Sequence, residues 1–167
     1  MGYLTQNHLD QAAEYWRNGQ FLEAGKIIFE NLPVAARPGW ASRILELAIE
    51  RTGTKSPQID HIIHISNHPS EWAQAHKAFD AARRVVLDLD RKQERLRSAK
   101  RTMLLRLMEL AELTAKVTYN ATHPPDEFDE DCGWWIAVYL KRLLDSLHDD
   151  SFSQRMWLAF CFDEESD

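Results

Sequence analysis

Two cysteines, Cys132 and Cys161, are all that this chain of 167 residues contains, and they sit in no CxxC pattern. That excludes a disulfide framework, so the fold must come from buried apolar surface. A chain of this length buries roughly two-thirds of the surface its unfolded form exposes, which is enough. Glycine and proline are scarce as well, six of each, which argues against a turn-rich all-β protein. No apolar run approaches the roughly 18 residues of a membrane-spanning helix, and no basic segment leads into an apolar one near the N-terminus. The expected setting is therefore cytoplasmic, with no membrane partner. Glycine-rich phosphate loops are missing, so no nucleotide is expected as a ligand.

What is present is helical patterning. With 44% hydrophobic and 28% charged residues, the composition is that of a globular chain and not a disordered one. The expected fold is all-α, a bundle or array of six or seven helices in a single domain. N-terminal helical hairpins would fill 1–66, a long helix about 70–121, and C-terminal helices 132–162. Asn7 or Thr5 can cap a first helix carrying Leu9, Ala12, Ala13 and Trp16, and Gly19 ends it. Phe21, Ala24, Ile28 and Leu32 form the next apolar stripe, up to Pro33. Tyr15, Gly19, Phe21, Ala24 and Pro33 fall where a tetratricopeptide unit has its aromatic, turn glycine, aromatic, small residue and terminal proline. Residues 8–33 thus resemble one such unit. A second copy one period on fails, since Gln58 and Asn67 stand where Ala24 and Pro33 would recur, so no groove of stacked repeats follows. A third helix carries Trp40, Ile44, Leu47 and Ala48 and closes at Gly53. Ser56 or Pro57 opens a fourth, which ends before Pro69.

Between Pro69 and Pro124 there is neither glycine nor proline. With Trp72 as position a of a heptad, the d positions are Ala75, Ala82, Leu89, Leu96, Met103, Leu110 and Val117, all apolar. The a positions are apolar at both ends and polar at Gln93 and Lys100, a coiled-coil-like register with a wet centre. Fifty residues of helix would span roughly 75 Å. Either the helix projects and pairs with another chain, or it breaks near residues 90–100 and folds back. The lack of any turn-forming residue except Ser98 favours one very long helix over about 70–120. A homodimer or another protein partner would then meet Gln93, Leu96 and Lys100.

Charge is unevenly spread. Residues 83–106 carry nine basic and three acidic groups, whereas residues 107–167 carry four basic and fourteen acidic. The basic stretch has no interleaved aromatics and is diluted by Asp88, Asp90 and Glu94, so nucleic acid is not the expected partner. The two regions facing each other, or a solvated helix, explains the pattern better.

Three groups of residues can carry chemistry. His61, His64 and His68 fall on one helix face, with Asp60 and Glu71 as a further ligand or outer shell for a divalent metal. Ile59, Ile62, Ile63 and Ile65 claim the other face for the core, leaving the imidazoles solvated. Cys132 lies near a helix start, but five acids between 126 and 131 oppose a thiolate and no base partner is marked. Those acids fit no EF-hand register, because Gly133 falls at the wrong position. Asp131 serves more simply as an N-cap. Projected as a regular helix, Trp135 borders the apolar face while Trp134 lies opposite. Trp134 is then either covered by the preceding loop or exposed with Asp129 and Asp131 as a docking spot for a basic segment. The reading favoured is a non-enzymatic protein-interaction or regulatory protein with no catalytic residues and no cofactor. The alternative is a small helical-bundle metal protein or enzyme built on His61, His64 and His68.

Overall fold

The computed structural model describes residues 4–95, 98–123 and 132–148. Among them are seven α-helices and no strand: α1 (Gln6–Arg17), α2 (Phe21–Asn31), α3 (Arg37–Thr52), α4 (Pro57–Asn67), α5 (Ala75–Arg95), α6 (Ala99–Thr122) and α7 (Ile136–Ser146). Short 3-10 turns occupy Val34–Ala36, Pro69–Gln74 and Cys132–Trp135. The all-α expectation holds, and one contiguous buried cluster runs from Leu9 to Leu144.

The very long helix does not form. In its place α5 and α6, of 21 and 24 residues, fold back on each other. Ser98 is the reason that the sequence offers. It adopts extended backbone, and its hydroxyl accepts from the Arg101 amide at 3.3 Å, capping α6. Cross-helix contacts fix the direction. His76 lies against Tyr119, Phe79 under Lys116, and Arg83 beside Glu112. Each step up α5 is matched by the same step down α6, which is antiparallel pairing. Of the positions read as d, Ala75, Ala82, Leu89, Leu110 and Val117 are buried and Met103 is half-buried. Arg83 and Glu112 are also a direct instance of the basic and acidic regions meeting.

The hairpin places α6 at the centre, against α3, α4, α5 and α7. Buried residues such as Leu105, Leu107, Met108, Leu110, Leu113 and Val117 therefore point all round it, the mark of a helix enclosed by its neighbours. Projected as one free helix, it would have left those sides open to water.

The N-terminal hairpin forms as expected. Thr5 caps α1, accepting from the His8 amide at 3.2 Å, and Trp16 meets Phe21 edge-on across the turn, centroids 4.8 Å apart. Ser56 caps α4 through the Ile59 amide. Two glycines let α2 approach the start of α7. A Cβ on Gly25 would lie 2.2 Å from the Trp134 carbonyl oxygen, and one on Gly133 would lie 2.1 Å from the Phe29 ring. At the C-terminal end, Ile136, Leu140, Leu143 and Leu144 are buried as projected. Trp135, expected in the core, is only half-buried, and so is Trp134. Residues 132–135 form a 3-10 turn, whose three residues per turn break a projection made at α-helical pitch. The helical segment expected to reach 162 lies beyond the described residues after 148.

Candidate functional site

Two concave surfaces lie between helices, with opposite chemistry. The first forms where α4 ends. Pro69 disfavours helical backbone at the preceding residue, so α4 stops and His68 becomes its C-cap with extended backbone. The chain then turns through Pro69–Gln74. Trp72 is buried and its indole N–H donates to the Ser66 carbonyl at 3.3 Å, which fixes the turn against the helix it has just left. Glu71 is thereby brought back to α4, its amide donating to the His68 carbonyl at 2.8 Å.

The result is a cluster of three: His64 Nε2 lies 2.6 Å from Glu71 Oε2, and the His64 and His68 rings stack with centroids 4.0 Å apart. One ligand atom from each of His64, His68 and Glu71 can be chosen so that all lie within 4.8 Å of one another. His61 is exposed and does not join this group. Of the expected residues, the structure thus brings together His64, His68 and Glu71 and leaves His61 and Asp60 outside that group. The i, i+4 pair shares a face directly, whereas His61 sits a further turn back, and the turn at Pro69 folds in an acid that helical projection does not reach. His64 and His68 face a groove of about 580 Å³ between α3 and α4, shared with Glu46, Glu50, Asp60, Ile63 and Asn67. Its charged walls are acidic, with Arg43 pairing Glu46 at the rim at 3.4 Å.

The second surface is a cleft of about 230 Å³ where α5, α6 and α7 meet, lined by Phe79, Arg83, Glu112, Leu113, Lys116 and Tyr139. Lys116 Nζ sits 5.6 Å from the centre of the Phe79 ring, and Arg83 donates to Glu112 at 3.1 Å. Burial pushes the Glu112 carboxyl above its ordinary value, and the nearby Arg83 charge opposes that shift without cancelling it.

Trp134 is half-buried against the core, with Lys26 Nζ 4.7 Å from the centre of its ring. A cation from the same chain thus already meets the indole proposed for a basic partner. Asp129, Asp131 and Leu96 lie outside the described residues, as does the side chain of Gln93, while Lys100 is exposed on the first turn of α6. The α5–α6–α7 cleft was not legible as a site. Placing the turn at Ser98 would have paired Arg83 with Glu112, but nothing local marks Tyr139 as its third wall. No family model, curated protein or solved structure matches this chain, so the geometry carries the functional reading alone.

Proposed function

We propose that this chain is a non-enzymatic protein-interaction domain that holds a short peptide segment of a partner in the α5–α6–α7 cleft. The observation that supports this reading is the lining of that cleft: an apolar floor of Phe79, Leu113 and Tyr139, with two cations, Arg83 and Lys116, against one carboxylate, Glu112. A volume of about 230 Å³ is below the roughly 300–1,000 Å³ of small-molecule sites. It suits one inserted side chain. The segment recognised would carry an apolar residue beside an Asp or Glu, the acid meeting Lys116 and the apolar group covering Phe79 and Tyr139. Such a surface anchors and does not transform.

The coiled-coil reading gains less support, because its heptad seam is filled by α6 of the same chain. A homodimer through Gln93, Leu96 and Lys100 would have to use the end of the α5–α6 hairpin. Light scattering after size exclusion, comparing the natural chain with Leu96→Asp, tests that version: an unchanged monomer mass removes it.

Peptide display against the full chain tests the cleft. Enriched peptides should pair an apolar residue with an acid, and their affinity should fall at least tenfold in Lys116→Glu, by about 1.4 kcal/mol. Failure to enrich any such pattern, or binding indifferent to both Lys116→Glu and Arg83→Glu, overturns the proposal.

A further inference from the structure

The end of α4 has a different use. We infer that His64, His68 and Glu71 form a binding site for a borderline divalent transition ion, zinc being the probe of choice, independent of the peptide cleft. The donor set is the first argument. Two imidazoles and one carboxylate match zinc and its first-row neighbours, whereas calcium and magnesium require mostly oxygen ligands. Three protein ligands also leave a fourth position for water.

The second argument is the orientation of His68. Its Nδ1 lies 2.6 Å from the His64 carbonyl oxygen. A carbonyl only accepts, so Nδ1 carries the proton of this contact, and in the neutral ring Nε2 is the nitrogen that holds the lone pair. Fixing one ring nitrogen on a backbone carbonyl is how proteins orient metal-binding histidines. His64 supplies the complementary state. Its Nε2 is 2.6 Å from Glu71 Oε2, a separation bridged by a proton. A divalent ion takes that proton's place: the Nε2–H bond breaks, the nitrogen lone pair passes to the metal, and the ring stays neutral with its one proton on Nδ1.

The distances permit this exchange. Zinc–nitrogen and zinc–oxygen bonds of about 2.0–2.2 Å put tetrahedral ligands roughly 3.3 Å apart. The His64–Glu71 contact must open slightly, and the widest pair, within 4.8 Å, must close by roughly 1.5 Å to meet that spacing. The side chains of His64 and Glu71 are 52% and 32% exposed, and His68 is exposed too, so rotamer changes suffice and the backbone need not move. The acidic wall of Glu46, Glu50 and Asp60 raises the local concentration of cations at the mouth of the site.

Zinc titration of the full chain, by calorimetry in two buffers of different ionisation enthalpy, tests the inference. One ion should bind per chain, with the same stoichiometry in both buffers. His64→Ala and Glu71→Gln should each weaken binding by more than the roughly 10–100-fold that losing an outer-shell partner costs. His61→Ala should leave binding unchanged. Cobalt substitution separates this site from one using Cys132 or Cys161: a visible ligand-field band without thiolate charge transfer supports it. Since all the substituted side chains are exposed or half-exposed, unchanged circular dichroism will show that the variants fold. A chain that takes up no stoichiometric zinc overturns the inference. So does binding that survives in His64→Ala, binding that falls as far in His61→Ala, or a cobalt spectrum dominated by thiolate.

Discussion

The groove at the end of α4 and the cleft between α5, α6 and α7 back onto one core, yet they invite opposite ligands. The first presents imidazoles and carboxylates, among them Glu46, Glu50, Asp60 and Glu71. The second presents Arg83 and Lys116 over aromatic and aliphatic carbon. They are also held in different ways. Trp72 and a buried hydroxyl pair secure α4 and its following turn, whereas the α7 wall of the cleft is set by two close backbone approaches at Gly25 and Gly133. The lesson is that charge character is decided by side chains laid over a common core, and that each surface has its own support. Each can therefore be perturbed without the other.

The largest effect should come from Trp72→Ala. Truncating a buried tryptophan costs about 3–5 kcal/mol, and here it also unfastens the turn that brings Glu71 to His64. Denaturant unfolding should show the loss of stability, and zinc affinity should fall with it in the still-folded fraction. Trp72→Phe separates the two contributions. It keeps most of the volume and loses the hydrogen bond to Ser66, so about 1 kcal/mol should go. Equal losses from the two variants would mean that packing is not what holds the turn.

Next comes Gly25→Ala, aimed at the other surface. In an unconstrained helix this change gains up to about 1 kcal/mol. Here the new Cβ would meet the Trp134 carbonyl oxygen at 2.2 Å and the Ala137 Cβ at 3.2 Å, and backbone must move. Overpacking of this kind costs about 1–3 kcal/mol, so the clash outweighs the propensity. Thermal unfolding should drop, and peptide binding should weaken as α7 shifts Tyr139 out of the cleft wall, while zinc binding stays. A stabilised variant would show that α2 and α7 are less tightly joined than the distance implies.

Why one surface was partly legible in the sequence, and the other not, follows from sequence distance. His64 and His68 are four apart on one helix, so their shared face is a local fact, and Glu71 arrives within one turn. Replacing His61 by Glu71 required only the direction of the chain after Pro69. The cleft joins Phe79 and Arg83 to Glu112, Leu113 and Lys116, some thirty residues on, and needs the hairpin turn to be placed first. The heptad pattern identified which side of α5 and α6 is apolar and left the partner undetermined, since a seam is equally satisfied by another chain or by the same one. Compactness decides between them. A lone helix with α6's apolar sides could not be covered, and Ser98 caps the start of the second helix.

Between α4 and α6 lies a buried hydroxyl pair, Ser66 and Thr118, with oxygens 2.7 Å apart. Thr118 already donates to the Thr114 carbonyl at 3.0 Å, so Ser66 must be the donor to Thr118. Thr118→Val preserves shape and leaves the Ser66 hydroxyl, itself buried, with no acceptor there. The expected cost is about 1–2 kcal/mol. Adding Ser66→Ala should recover part of it, because removing both partners leaves no polar group stranded. If the double variant is as unstable as the sum of the singles, the two hydroxyls are not coupled, and α4 owes its position to packing alone.

The smallest effect should be a gain. Glu112 is the one described carboxylate whose folded-state pKa stands clearly above its ordinary value, because burial disfavours the charge more than Arg83 favours it. For a raised carboxylate the sign is the reverse of the usual salt-bridged case. The folded state holds its proton more tightly than the unfolded state, so ionisation costs stability once the pH passes the unfolded value near about 4.3. That cost grows until the pH passes the folded value, and is constant above it. Glu112→Gln removes the charge and keeps an oxygen for the Arg83 guanidinium, whose side chain is 58% exposed and well solvated. The variant should unfold at a slightly higher temperature than the natural chain at neutral pH, with the difference closing as the pH falls to about 4. A variant less stable at neutral pH, with a deficit that shrinks on acidification, would mean that Arg83 dominates burial. The cleft would then be a salt-bridged surface.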